Sequence, residues 1–250
     1  MESDIASLNN EEMSSYLKPV FCRAFHQLSK YFDQTKDGIA LAHQRALIID
    51  QLLKILFNGA LKKQQDITPK DLALLPIGGY GKSLLCPYSD IDLLFLKKDN
   101  DSSDFESIIR TIIYPLWDIG LKVSHTLVNT RQAMQKIEDD HVFATALLHS
   151  RLIAGSNDLF KNFMRRSRLF FSKTLEDRIR FIKLKISERD ARHVRHLDTR
   201  YLLEPNIKNS KGGIRDLDFI EWFSTIYFNH DDLTLLEQNH CLTASELLQF

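Results

Sequence analysis

Leu75-Pro76-Ile77-Gly78-Gly79-Tyr80-Gly81-Lys82-Ser83, followed shortly by Pro87-Tyr88-Ser89-Asp90-Ile91-Asp92-Leu93-Leu94-Phe95, is the stretch on which the reading of this chain turns. Side chains two apart on a strand point to one face, so Asp90 and Asp92 project together while Ile91 and Leu93 go to the other side. Carboxylates this close repel unless a cation neutralises them, and hard oxygen donors suit magnesium, with manganese as the alternative. The glycine pair upstream lets backbone N–H groups approach a phosphate closely, and the hydroxyl of Ser89 offers a further donor. Taken singly, the glycines fit a plain strand-to-helix turn and the aspartates a solvated strand edge. Taken together they favour a metal and phosphate site, because charge set into an otherwise unbroken apolar strand is costly without a partner.

Two other phosphate motifs fail on spacing. Gly81-Lys82-Ser83 matches the end of a P-loop, but the glycine required five positions earlier is Pro76, and Pro87 interrupts the helix that should follow. A GxGxxG pattern begun at Gly79 has Leu84 in place of its last glycine.

Working outward, Leu72 to Ile77 reads as a first buried strand and Ile91 to Leu96 as a second. Polar Lys97 to Ser103 reads as a loop, and a helix is expected from about Asp104 to Trp117. Gly120 then punctuates the chain before Leu121-Lys122-Val123-Ser124-His125-Thr126-Leu127-Val128, whose β-branched content predicts a third strand. On that strand His125 shares a face with Val123 and Leu127 and reads as a core histidine before a ligand. Upstream, Ala46, Ile49, Leu53, Leu56 and Phe57 fall at helical spacing within a helical preface over residues 11–65. Beyond Arg131 no further strand is expected, and a long charged helix runs from about Thr174 to Leu197. The predicted architecture is mixed α and β: a helical segment over 1–66, a head over 67–155 and a helical tail over 156–250, with the joint near Gly155-Ser156.

Composition narrows the function classes. With 44% hydrophobic and 26% charged residues, the 250-residue chain can bury one good core or two modest ones. Its 33 basic residues balance 33 acidic ones, so no global field recruits duplex nucleic acid or an anionic membrane, and any polyanion site must be local. Cys22, Cys86 and Cys241 lie far apart and fit neither a disulfide framework nor paired zinc ligands. No stretch approaches the roughly 20 apolar residues of a membrane span, and the first residues lack an apolar signal region, so a cytoplasmic location is expected.

The glycine pair, ten intervening residues and Asp90-Ile91-Asp92 resemble the signature of the DNA polymerase β-like nucleotidyltransferase superfamily. Within it, GGYGKSLLCPYSDIDLLFL and the later LEPNIKNSKGGIRDLDFIEW, Leu203 to Trp222, resemble the N-terminal region of bacterial protein-PII uridylyltransferase, with similarity from about Leu72 to Trp222. The related glutamine synthetase adenylyltransferase shares the layout but fits less closely at Tyr80 and around Glu204-Pro205-Asn206. Lys82 stands where the family usually has arginine, Leu84 where it usually has glutamate, and Pro76 replaces a small or branched residue. Lysine keeps the charge but loses the bidentate fork.

The resemblance implies an α+β fold with a small mixed sheet, flanked by helices. It implies that Asp90 and Asp92 bind two magnesium ions, that Gly78, Gly79, Lys82 and Ser89 bind nucleotide, and that UMP passes from UTP to a tyrosine of the PII nitrogen-regulatory protein with release of pyrophosphate. Adenylylation from ATP, of glutamine synthetase or another protein, is one rival. A nucleotide- or partner-binding domain without turnover is the other. Many such sites carry a third carboxylate on a neighbouring strand, but Lys122 to Val128 offers only Ser124 and His125, leaving Glu204 and Asp216 as alternatives. Full-length family members also carry an HD domain and two ACT domains; this sequence stops before either, so reversal and glutamine sensing are not expected of it.

Glu188 to His196 puts Arg189, His193 and His196 on one helix face with Arg192 nearby, either a nucleotide-facing surface or a solvated one. Lys208, Lys211, Gly212, Gly213 and Arg215 form a basic loop before a helix, suited to an anion or serving as an ordinary helix entry capped by Asp216. His230-Asp231 lacks the distant partners of a hydrolytic HD site and reads as a helix end.

Overall fold

Two long helices come first. α1 (Asn10–Thr35) and α2 (Gly38–Lys62) are separated by a short break at which Asp37 caps α2, its Oδ1 accepting from the Ala40 N–H at 2.9 Å. The computed structural model describes residues 10–64, 66–99, 104–172, 174–196, 203–204, 206–230 and 232–248. After the helices come β1 (Leu72–Pro76), the single turn α3 (Gly78–Gly81), β2 (Ile91–Lys97), α4 (Phe105–Asp118), β3 (Val123–Asn129), α5 (Thr130–Asp139), α6 (His141–Ala146), β4 (Ala154–Gly155) and α7 (Asn157–Phe171). The expected helix from Asp104 is present, with Asp104 as its cap accepting from the Ser107 N–H. Of the expected loop after β2, residues 100–103 lie outside the described residues.

The four strands form one mixed sheet in the order β3-β2-β1-β4. β1 runs antiparallel to β2 and to β4, whereas β2 and β3 are parallel, paired from Ile91 with Val123 to Lys97 with Asn129. A parallel pair needs a long crossover, and α4 supplies it. On one face Leu72, Leu74, Ile91, Leu93 and Phe95 join a core with Leu17, Ile49, Leu53, Leu56 and Phe57 of α1 and α2 and with Ile108, Ile112 and Leu116 of α4. The helical preface is therefore one wall of the head's core. On the opposite face Ala73, Leu75, Leu94 and Leu96 are equally buried, which is why β1 and β2 read as continuous apolar runs.

β4 corrects the expectation that no strand follows Arg131. It pairs Ala154 with Leu74 and Gly155 with Ala73, which puts the expected joint at Gly155 inside the sheet. Two residues carry no periodicity, so sequence pattern alone does not reveal them. Gly155 sits at φ +92, and a Cβ there would lie 2.1 Å from the Leu72 carbonyl oxygen, an approach only glycine allows.

The chain divides into two compact units, one up to Met164 and one from Arg165. In the second, α8 (Leu175–Arg195) starts at the cap Thr174, whose hydroxyl accepts from the Asp177 N–H, and packs on α9 (Ile214–Phe228), followed by α10 (Thr234–Gln238) and α11 (Ala244–Leu247). Arg178 donates to the Tyr227 carbonyl at 2.6 Å, and the Lys185 ammonium lies 4.6 Å from the Trp222 ring centroid. α9 ends at Phe228 with Asn229 in the left-handed region at φ 56, as expected of a helix end; Asp231, like Leu197 and Pro205, lies outside the described residues. Among the described residues no helix is long and apolar enough to cross a membrane.

Candidate active site

β1 delivers the chain into the glycine turn, and the turn is fastened to β2: the Ile77 N–H donates to the Asp92 carbonyl at 3.1 Å. Gly78 follows at φ +62, and a Cβ built on it would lie 3.7 Å from Asp92 Oδ2. Main chain without a side chain thus runs directly beside the carboxylate. The other oxygen, Oδ1, accepts from the Ser124 hydroxyl at 2.5 Å, because the parallel register sets Asp92 opposite Ser124. Asp90 is exposed immediately ahead of β2, and the next amide, Ile91 N–H, donates to the Lys122 carbonyl at 2.8 Å. Ile91 and Leu93 enter the core, so by strand alternation Asp90 and Asp92 share the opposite face.

Of the other sequence-derived candidates in this unit, Gly79 lies in α3, Lys82 is half-buried at its end, and Ser89 is exposed on the loop before Asp90. His125 is not a core residue. β3 is an edge strand, so His125 is exposed; its ring sits 6.3 Å from those of Phe95 and Trp117, on the face away from Asp92. Ser124 stands opposite Asp92 on β3, where the resemblance leads one to expect a third carboxylate.

Sequence reasoning passed over the residues beneath the turn. The Tyr80 hydroxyl donates to Asp50 Oδ1 at 2.6 Å. Arg151 donates to both oxygens of the same carboxylate, at 2.6 and 2.9 Å, and reaches the Tyr80 carbonyl at 3.5 Å. Burial, and then the neighbouring Asp50 charge, push the Tyr80 phenol far above its usual pKa, so it stays protonated. Asp50 left a trace in the sequence, since it falls four residues after Ala46 and three before Leu53 on the apolar face of α2. Arg151 left none.

A divalent cation fits this donor set. Asp90 and Asp92 supply hard carboxylate oxygens, and a hydroxyl already orients one of them, the usual arrangement behind a metal ligand. Among the described residues no three His, Cys, Asp or Glu side chains gather into a metal-holding group. Magnesium takes one or two carboxylates and completes its shell with water and substrate phosphates.

In the second unit the expected basic helix face is largely spent internally. Asp216 accepts from Arg192 at 2.7 Å, faces His193 Nε2 at 3.0 and 3.1 Å, and accepts from the Gly212 N–H at 2.7 Å, while Arg192 also donates to the Asn209 carbonyl. Burial alone would raise the Asp216 pKa, but the hydrogen bonds from Arg192, the Gly212 amide and His193 outweigh it and hold the carboxyl below its usual value. With both oxygens engaged, Asp216 organises the loop and is a poor metal ligand. The loop's amides are engaged as well: Ile214 and Arg215 N–H donate to the Ile207 and Lys208 carbonyls, and Gly213 N–H to the Ser210 carbonyl. The helix entry is thus self-capped. Lys208 is exposed and Arg215 faces Asp218 at 3.7 Å, so an anion would meet side-chain charge there. Arg189 pairs with Asp190, and Glu204 is exposed. All three cysteines are free and exposed.

Residues 180–250 match the family model described as GlnD PII-uridylyltransferase. Over 218 residues the chain is 33% identical to the bifunctional uridylyltransferase/uridylyl-removing enzyme of Novosphingobium aromaticivorans, covering 85% of this chain and 24% of that protein. The enzyme of the same name from Rhodospirillum rubrum is 29% identical over 225 residues, 88% of this chain and 24% of that one. The chain is similar to PII-uridylyltransferases. It spans about a quarter of the length of the curated relatives it matches. The stretch matched by the family model holds the Asp216 network and its basic loop, whereas the aspartate strand and glycine turn lie before it.

Proposed function

We propose that the chain transfers a nucleotidyl group, as UMP from UTP, to a tyrosine of a PII-type signalling protein in the cytoplasm. What supports this most is the Asp92 carboxylate, oriented by Ser124 and lying beside the bare main chain of Gly78. A cation held there would lie next to main chain that a triphosphate can approach. Magnesium held by Asp90 and Asp92 would neutralise phosphate charge and stabilise the pentavalent transition state. The protein's own contribution is positioning. The glycine turn admits the phosphates, Ser124 fixes the carboxylate, and Lys82 adds positive charge at the end of the turn. The tyrosine oxygen bonds to the α-phosphorus as the bond to the β-phosphate oxygen breaks, giving a uridylyl-tyrosine, pyrophosphate and one proton.

A second reading, binding without turnover, draws on one observation: Ser124 faces Asp92 where many related sites carry a third carboxylate. One assay separates the two. Purified protein is incubated with magnesium, a PII protein and labelled UTP or ATP, and label transfer and pyrophosphate are measured. Transfer that depends on magnesium and is lost in Asp92→Asn is the expected result, and UTP preferred over ATP identifies uridylylation. Bound nucleotide without pyrophosphate would establish the second reading; preference for ATP would make the chain an adenylyltransferase.

A further inference from the structure

Asp50 is a carboxylate buried in α2, between residues that build the apolar core, and nothing in the proposed chemistry touches it. Both of its oxygens are used: Oδ1 by the Tyr80 hydroxyl and one Arg151 amine, Oδ2 by the other Arg151 amine. Arg151 also reaches the Tyr80 carbonyl, and its guanidinium lies 5.3 Å from the Tyr80 ring centroid. Tyr80 is therefore held at its phenol and at its main chain. A buried ion pair is a weak device for stability, since apolar side chains of similar volume do as well, but it fixes direction. Here it fixes the turn that carries Gly78 and Gly79, which on its other side is fastened by the Ile77 N–H to Asp92.

We propose that Asp50, Tyr80 and Arg151 are positioning residues that hold the glycine turn against the Asp92 strand so that a nucleoside triphosphate enters in one pose. This rests on the nucleotidyl-transfer reading above. The three residues come from α2, from α3 and from the segment ahead of β4, so the pose depends on parts of the chain remote from the motif. None of them touches substrate. Their effect passes through the backbone of the turn.

The test uses the full chain and two variants, Tyr80→Phe, which removes one hydroxyl and leaves the Asp50–Arg151 pair in place, and Arg151→Lys, which keeps the charge and loses the fork. Amide hydrogen exchange is followed across the molecule, and KM for UTP and for the acceptor protein are measured separately. In both variants exchange at residues 78–83 should quicken by about tenfold while α2 and β2 keep wild-type rates. KM for UTP should rise by about tenfold with KM for the acceptor unchanged. Wild-type exchange at the turn would overturn the proposal. So would acceleration spread evenly through α2, β1 and β2, or equal increases in both KM values, since each marks general loosening. If the wild-type chain transfers no nucleotide at all, the functional reading fails on its own, and the exchange rates at the turn still decide whether the three residues fix it.

Discussion

Asp92 divides its two oxygens between a neighbour and a vacancy of side chain: Oδ1 takes the Ser124 hydroxyl, and Oδ2 faces the turn at Gly78. Removing the hydroxyl frees the carboxylate to rotate without removing the carboxylate itself. Ser124→Ala should therefore raise the magnesium concentration for half-maximal transfer by roughly 10–100-fold, the usual effect of losing an outer partner of a metal ligand, with little change in folding. Titration of transfer rate against magnesium checks this, and an unchanged midpoint would show that Ser124 does not orient the ligand. Asp216 carries a different dependence. Its folded pKa is depressed, so the stability it contributes is present above its unfolded value, about 4, and is lost as pH falls through the lower folded value. Acid titration followed by Trp222 fluorescence, in a Trp117→Phe background, should show the second unit loosening below about pH 4; Asp216→Asn should be less stable at neutral pH and lack that acid step. At this scale the sequence is legible where partners are close along the chain. Asp90, Asp92 and the glycine pair declare themselves through spacing, whereas Arg151 meets Asp50 across a sequence separation of 101.

Elements are read from periodicity, and periodicity says nothing about order within a sheet. β1, β2, β3 and the helix after Asp104 are all visible as local patterns. That β3 is an edge strand is not, and so the apolar company of His125 suggested a core position that the sheet order denies it. β4 lies below the limit of any pattern because two residues suffice to pair with β1. Its position nonetheless depends on a single hydrogen atom in place of a methyl group. Gly155→Ala would combine a left-handed backbone, costly for any residue with a Cβ, with overlap onto the Leu72 carbonyl. We expect a loss of about 3 kcal/mol or more, read as a fall in the thermal midpoint, because the Leu72 main chain cannot give way and the buried Phe57 ring crowds the same spot at 2.9 Å. A midpoint within a degree of wild type would show that β4 detaches without consequence for the head. The basic loop before α9 makes a related point: lysines and glycines before a helix suggest an open anion site, yet the loop's own carbonyls take the helix's first amides.

Across the whole molecule, equal numbers of acidic and basic residues leave local arrangement to decide what binds, and the two compact units use their charges differently. In the first, the Asp92 carboxylate lies beside the glycine turn and the Asp50–Arg151 pair lies under it. In the second, arginine, histidine and aspartate are knitted into the framework between α8 and α9. Within the first unit, α1 and α2 complete the core against the sheet. The buried pair also sets a timetable for synthesis. Asp50 leaves the ribosome 101 residues ahead of Arg151, an interval of roughly 5–20 s at ordinary translation rates. Over the later part of it, once residues 78–92 are made, the nascent chain carries the glycine motif and the aspartate strand but lacks the arginine that joins Asp50 to the Tyr80 carbonyl, so the turn gains its last fastening only after the motif itself has been made.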